Sequence, residues 1–372
     1  MSSIFKKLTA RKEEGIVRAL RANDGKIDFS SNDYLGLAAS PVLAEAIDQI
    51  YKQAFSNPIN GSGGSRLLAG HFDFYDQVEK ELAAFFETEA VLIFNSGYSA
   101  NLALLSTLPQ KGDTIIMDEY IHASLKDGAR LSFASKFSFR HNDLSDLESK
   151  LKKAEGTVFI VAESLYSMDG DFAPVEALQK LAEQYKAYLI IDEAHTTGIY
   201  GKQGRGFLHE KKIADLVPFK IYTFGKAMGI HGACIAGSQE LKDYLINFAR
   251  PFIYTTAMPP HAFASVHAAF AHIQQYPKQK DQLMSNILHW NKLVKGEAGF
   301  STNESPIQTY TYPGNQNIRA LAQSMQSNNY DVRPILSPTV KEGTERLRIC
   351  LHAYNTPQEI ASLIQLITTF HE

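Results

Sequence analysis

The sequence of 372 residues predicts an α/β protein built on a mostly parallel sheet. Two observations predict it. Apolar runs without polar alternation, at residues 90–94, 113–118, 156–164 and 187–195 and in the short run that opens 219–237, are separated by stretches of helical periodicity. That is the pattern of strands covered on both faces. The residues best suited to chemistry, His122, Ser167, Asp192, His195 and Lys226, all fall at the carboxyl ends of these runs or just after them. Ligands of such folds bind there.

The length allows a large core and more than one lobe. Charged residues make up 21% and the net charge is −3, which argues against a polyanion-binding protein and leaves a local basic patch open. Cys234 and Cys350 sit in apolar runs far apart and read as buried small hydrophobes in a reducing compartment. The N-terminus has no long apolar core behind its charges, and no run approaches the roughly 20 residues of a membrane span. A cytoplasmic globular protein is expected, with no membrane or nucleic-acid partner and no metal.

Taken in order, residues 4–23 read as a basic amphipathic helix with Leu8, Val17 and Leu20 among Lys and Arg. The stretch 27–37, IDFSSNDYLGL, begins as a short strand and ends in a polar turn. Ser40 and Pro41 start a helix as N-cap and first residue, with Val42, Ala46 and Ile50 as its stripe and Leu43 and Ile47 beside it. GSGGSRLLAG (61–70) lacks the Gly-Lys-Ser/Thr ending of a P-loop. A helix carrying Phe74, Val78, Leu82, Phe85 and Phe86 follows, and these aromatics read as core.

After strand 90–94, the turn NSGYSAN (95–101) leaves backbone N–H groups free at a helix N-terminus, which suits an anion such as phosphate. Tyr98 there is either core or a stacking group. His122 lies near the start of helix 121–131, Pro174 opens another helix, and LYSMDGD (165–171) is a loop. Beyond about residue 265 the pattern changes. YPKQK (276–280) looks like an exposed corner, and a helix-rich region with strand candidates at 307–312 and 346–351 follows. The last helix has Thr356 as N-cap, Pro357 next and Glu359 completing a capping box. The expected division is an N-terminal helix and arm (1–40), a large domain (41–270) and a small C-terminal domain (271–372).

A lone lysine in a Gly-containing turn such as TFGKAMG is usually a solvated surface charge. Here other stretches supply the remaining parts of a pyridoxal phosphate (PLP) site. Lys226 could form a Schiff base with the aldehyde. Asp192 could face the pyridine nitrogen, His195 the phenolic oxygen, and His122 the ring face. Thr223 could hold the phosphate, and Arg348 could clamp a carboxylate bidentately. Each taken alone also fits a structural role: a cap, an ion pair or a satisfied buried histidine. The DEAH segment also spells a helicase Walker B box, but no Walker A loop precedes it.

The ordered set SNDYLGL, GSGGSRLLAG, FNSGYSAN, HAS, YSMDGD, DEAHTTG, TFGK and RLRI resembles the α-oxoamine synthases across nearly the whole chain. These are PLP-dependent fold-type-I enzymes that join an amino acid to an acyl-CoA with loss of CO2. GSGGSRLLAG, SMDGD, YTTAMPP (254–260) and the SPTV…GTERLRI ending look most like the biotin-pathway member, which uses L-alanine and a pimeloyl thioester on CoA or a carrier protein. Glycine- and serine-using members share the core motifs. A fold-type-I aminotransferase and a catalytically idle PLP-binding protein are the more distant alternatives.

The resemblance implies Lys226 as the Schiff-base lysine, Asp192 and His195 as ring partners and His122 as the stacking residue that also meets substrate. It implies Gly97, Tyr98, Ser167 and Thr223 as further cofactor contacts. Arg348 would clamp the amino-acid carboxylate with Asn32 assisting, and Arg18 and Thr339 would contact the acyl substrate. It implies a homodimer with sites at the interface, YTTAMPP reaching toward the partner's cofactor phosphate.

Overall fold

The computed structural model describes residues 3–20 and 25–371. Its centre is a seven-stranded sheet in the order Ala90–Phe94, Ala233–Gly237, Phe219–Thr223, Tyr188–Asp192, Val158–Glu163, Thr114–Asp118, Ser135–Phe139. Six strands share one direction, and Ala233–Gly237 is antiparallel to both neighbours. Strands 90–94, 114–118 and 158–163 are buried throughout, as continuous apolar runs require when helices cover both faces. The edge strand Ser135–Phe139, SKFSF, escaped the sequence reading because its polar residues alternate and four of its five residues face water.

Helix Asp73–Phe85 buries Val78 and Leu82, and Phe86 just beyond it stacks on Tyr222 with ring centroids 3.8 Å apart. The expected aromatic core therefore packs against the strand that leads to Lys226. Ser40 caps helix Pro41–Ala54, its side chain accepting from Leu43 N. Its inner face is Leu43, Ala46, Ile47 and Ile50, whereas Val42 is 56% exposed. The stripe is thus rotated by one residue from the expected one.

A second sheet orders Arg333–Ile335, Arg346–Cys350 and Ile307–Thr311 antiparallel. Ile27–Asp28 pairs in parallel with Tyr330–Asp331, so the N-terminal segment is tied to this region. The capping box of helix Pro357–Thr368 is present as expected. Both cysteines are buried and free. YPKQK is a tight corner only at Tyr276 and Pro277, because helix Lys278–Leu293 begins immediately after it.

The N-terminal helix is shorter than expected. A 3₁₀ turn at Ser3–Phe5 leads into Lys6–Glu13, where the α-helix ends. Gly15, at φ +65°, donates to Lys12 O, and Ile16 donates to Arg11 O, a Schellman motif that stops the helix. Leu8, Val17 and Leu20 are exposed, so no apolar face holds the segment onto a core. Arg18 lies in the extended stretch beyond the helix, and residues 21–23 of the expected span fall outside the described residues. No helix among the described residues is long and apolar enough to cross a membrane.

Candidate active site

Asp192 ends its strand, His195 follows three residues later, and Lys226 follows strand Phe219–Thr223, all on the carboxyl side of the sheet. Lys226 Nζ lies 2.9 Å from His195 Nε2. His195 Nδ1 lies 2.7 Å from the Tyr34 hydroxyl, which donates to Asn32 Oδ1 at 3.0 Å. Arg348 Nη2 donates to the same Asn32 oxygen at 2.9 Å, and its Nε donates to the Ser167 carbonyl. One unbroken chain of hydrogen bonds thus runs from the amine to the guanidinium.

A second network lies behind it. Asn101 Nδ2 donates to Asp192 Oδ2 at 2.7 Å and reaches Ser124 Oγ at 2.9 Å. The Ala194 N–H holds the other carboxylate oxygen at 2.8 Å. His122 caps helix Ala123–Leu131, its Nδ1 accepting from Ser124 N, and its own N–H donates to Glu163. Glu163 pairs with Asp192 in register on the next strand.

Electrostatics follow from burial. Burial lowers the Lys226 pKa, opposed by Asp192 and Glu163. Burial and then the charges of Lys226, Arg348 and His122 push His195 well below the ordinary imidazole range. Burial also lowers His122, against the pull of Asp192. Burial and the Asp192 charge raise Glu163. Imidazoles whose burial disfavours their charge, and an amine whose burial lowers its pKa, around one held carboxylate make a site poised for proton transfer.

Gly97 opens helix Gly97–Thr107, capped by Ser96. A Cβ at Gly97 would come within 2.5 Å of Thr223 Oγ1, so the helix N-terminus and a hydroxyl converge where only glycine fits. Such a cradle suits a phosphate. Asn95 Nδ2 donates to Thr256 O, which brings the YTTAMPP segment beside it. Tyr98 is not core: it is 46% exposed and its hydroxyl donates to Asp127 on the neighbouring helix.

Arg18 and Thr339 line one cavity of ≈ 810 Å³ with Met168, the neighbour of Ser167. The Ser167 carbonyl, one residue before Met168, accepts from Arg348 Nε. Among the described residues no group of three or more His, Cys, Asp or Glu could hold a metal ion.

Three members were missed by the sequence reading. Tyr34 lies inside SNDYLGL, whose polar composition reads as a turn. Asn101 is the last residue of NSGYSAN, one helical turn from the cradle. Glu163 ends an apolar strand as Asp192 does, and that shared position was the available signal.

A family model for aminotransferase class I and II matches residues 24–367. The chain is 36% identical to an 8-amino-7-oxononanoate synthase of Lysinibacillus sphaericus, over 97% of this chain and 96% of that protein. It is 40% identical to one of Chromobacterium violaceum, over 92% and 89%. Among solved structures, a Sphingomonas wittichii serine palmitoyltransferase superposes with TM-score 0.90 at 27% identity, covering 98% of this chain and 96% of that one. An 8-amino-7-oxononanoate synthase of Francisella tularensis superposes with TM-score 0.80 at 31% identity, covering 93% and 98%. The chain belongs to the aminotransferase class I and II family, on its α-oxoamine synthase branch beside the 8-amino-7-oxononanoate synthases.

Proposed function

We propose that this chain condenses L-alanine with a pimeloyl thioester, releasing CO2 and the thiol and forming 8-amino-7-oxononanoate for biotin synthesis, with PLP as cofactor. The observation that carries the reading is the hydrogen-bonded chain from Lys226 to Arg348, which joins an amine and a carboxylate clamp in one buried site. The relatives at 36–40% identity carry that enzyme's name, whereas the serine palmitoyltransferases match at 26–27%.

The residues present fit PLP. Lys226 would hold its aldehyde, Asp192 its ring nitrogen and His195 its phenolic oxygen. His122 would cover the ring, and Gly97 and Thr223 would cradle the phosphate, with Tyr98 and Ser167 beside it. When bound, PLP supplies an electrophilic carbon for the substrate amine and a ring that accepts the charge left at Cα. Arg348, with Asn32, would fix the alanine carboxylate and so orient the substrate's Cα. Lys226 Nζ takes the Cα proton, its burial favouring the free amine. Proton transfer by a positioned base contributes about 10²–10⁴ in rate. Arg18 and Thr339 meet the acyl chain in the cavity that they line.

We further propose a cytoplasmic homodimer. Leu67, Leu68 and Tyr254 are exposed on two segments stitched together by Ser62 Oγ to Ala257 O at 2.7 Å and Ala257 N to Gly64 O at 2.9 Å. These segments pass near Asn95, where a second copy would cover them.

The test is a substrate panel: PLP-loaded protein with alanine, glycine or serine against pimeloyl-CoA, a pimeloyl carrier protein and palmitoyl-CoA, following thiol release. Alanine with a pimeloyl thioester should turn over fastest. Preference for serine with palmitoyl-CoA, or amino transfer without thioester consumption, would overturn the assignment.

A further inference from the structure

We propose that Tyr34 is a positioning residue that keeps the single ring proton of His195 on Nδ1, leaving Nε2 bare toward Lys226. The inference rests on the preceding reading only in taking Lys226 as the reacting amine.

The polarity of the chain follows from its far end. A guanidinium has donors and no acceptor. Arg348 Nη2 at 2.9 Å from Asn32 therefore fixes the amide atom there as the oxygen. An amide oxygen cannot donate, so the Tyr34 hydroxyl, 3.0 Å from it, spends its one hydrogen on Asn32. Its oxygen is then the acceptor for His195 Nδ1 at 2.7 Å, which requires Nδ1–H. His195 is kept neutral by burial and by the facing charges of Lys226 and Arg348, so the ring has one proton and Nε2 has none. Nε2 accepts from Lys226 Nζ at 2.9 Å. The donor character of Arg348 is thus propagated through three side chains to the amine.

Tyr34 is built to do this and little else. It is fully buried, and its ring lies over His352 with centroids 6.5 Å apart and planes 25° apart. Its carbonyl accepts from Ala353 N at 2.8 Å, so the backbone is held as well. The chain also gives a route for signalling. A substrate carboxylate that draws Arg348 away from Asn32 removes what fixes the amide. Asn32 can then turn its NH₂ toward Tyr34, which frees the hydroxyl to donate to Nδ1 of the Nε2–H tautomer once Lys226 is the free amine that accepts from Nε2.

The tautomer can be read directly by ¹⁵N NMR of histidine-labelled, cofactor-free protein, with His195 assigned from the spectrum of His195→Gln. The wild type should show His195 protonated at Nδ1 and bare at Nε2. In a Lys226→Met background, which removes the donor facing Nε2, Tyr34→Phe should move the majority tautomer to Nε2–H. Asn32→Ala should do the same with Tyr34 still in place, because the freed hydroxyl can donate to Nδ1, whereas Asn32→Asp, which keeps an acceptor, should not. A wild-type His195 protonated at Nε2, or an unchanged tautomer in both Tyr34→Phe and Asn32→Ala, would overturn the proposal. Neither readout depends on which thioester is used. In the PLP-loaded enzyme, Tyr34→Phe should shift the acid limb of the kcat–pH profile while the KM for thioester stays within about twofold.

Discussion

Arg348 meets the Ser167 carbonyl, the Asn32 amide oxygen and, at 2.9 Å, Cys350 Sγ, with the Tyr34 hydroxyl beside it. None is a carboxylate, and among the described residues no ion pair neutralises the buried guanidinium. A buried cation without a counter-ion is costly unless a ligand brings the anion. Charge-assisted hydrogen bonds contribute about 1.5–3 kcal/mol each. Arg348→Ala should therefore lower kcat/KM for alanine by roughly 10–100-fold. Arg348→Lys should recover only part, since it restores the charge without the planar fork. Steady-state kinetics at saturating thioester check this, and a change confined to the KM for thioester would show that the arginine serves the other substrate.

At the scale of elements, the SMDGD loop is the joint between the two sheets. Leu165 and Phe172 close it with an isolated bridge, and Gly170 at φ +73° sits where a Cβ would come within 2.0 Å of Ile307 O. Arg346 pairs with Asp169, and His141 bridges Asp118 at 3.0 Å and Asp171 at 2.7 Å. Burial disfavours the charge on His141, but the two aspartates outweigh it and raise its pKa to about 10 from 6.5. A raised folded-state pKa means stabilisation that is complete below pH 6.5 and fades as pH climbs through 10. The gap in melting temperature between wild type and His141→Gln should accordingly be widest near pH 6 and shrink by pH 10. A constant gap would mean that His141 contributes by packing alone.

The same loop shows what could and could not be read from sequence. Its position after strand Val158–Glu163 was evident, as were the strand ends carrying Asp192, His195 and Lys226, because period and length report burial directly. Its anchors were not evident: His141, Ile307 and Arg346 are far away in the chain, and long-range pairing leaves no local pattern. Tyr34 was hidden for a related reason. A tyrosine in a polar turn looks the same whether its hydroxyl meets water or a buried histidine. The N-terminal helix was over-extended because charge pattern alone cannot show that Gly15 adopts a left-handed conformation.

At the scale of the whole molecule, the exposed side chains are informative. Leu68 is 86% exposed, Tyr254 74% and Phe133 85%. Single exposed apolar residues are ordinary, but Leu67, Leu68 and Tyr254 lie on two segments stitched together near Asn95. Sedimentation should show a dimer for the wild type, and Leu68→Glu should raise the dissociation constant by at least about tenfold, the effect of roughly 1.4 kcal/mol. A wild type that sediments as an active monomer would contradict the interface. The sheet's connectivity also bears on how the polypeptide is made. Ala90–Phe94 has one neighbour in its sheet, and that neighbour is Ala233–Gly237. On a translating ribosome this early strand must wait, with a wholly apolar sequence, until the second half of the chain has emerged. Such high contact order makes folding slow and leaves the nascent segment open to aggregation. Newly synthesised protein should therefore depend on chaperones during translation far more than the finished fold does afterwards.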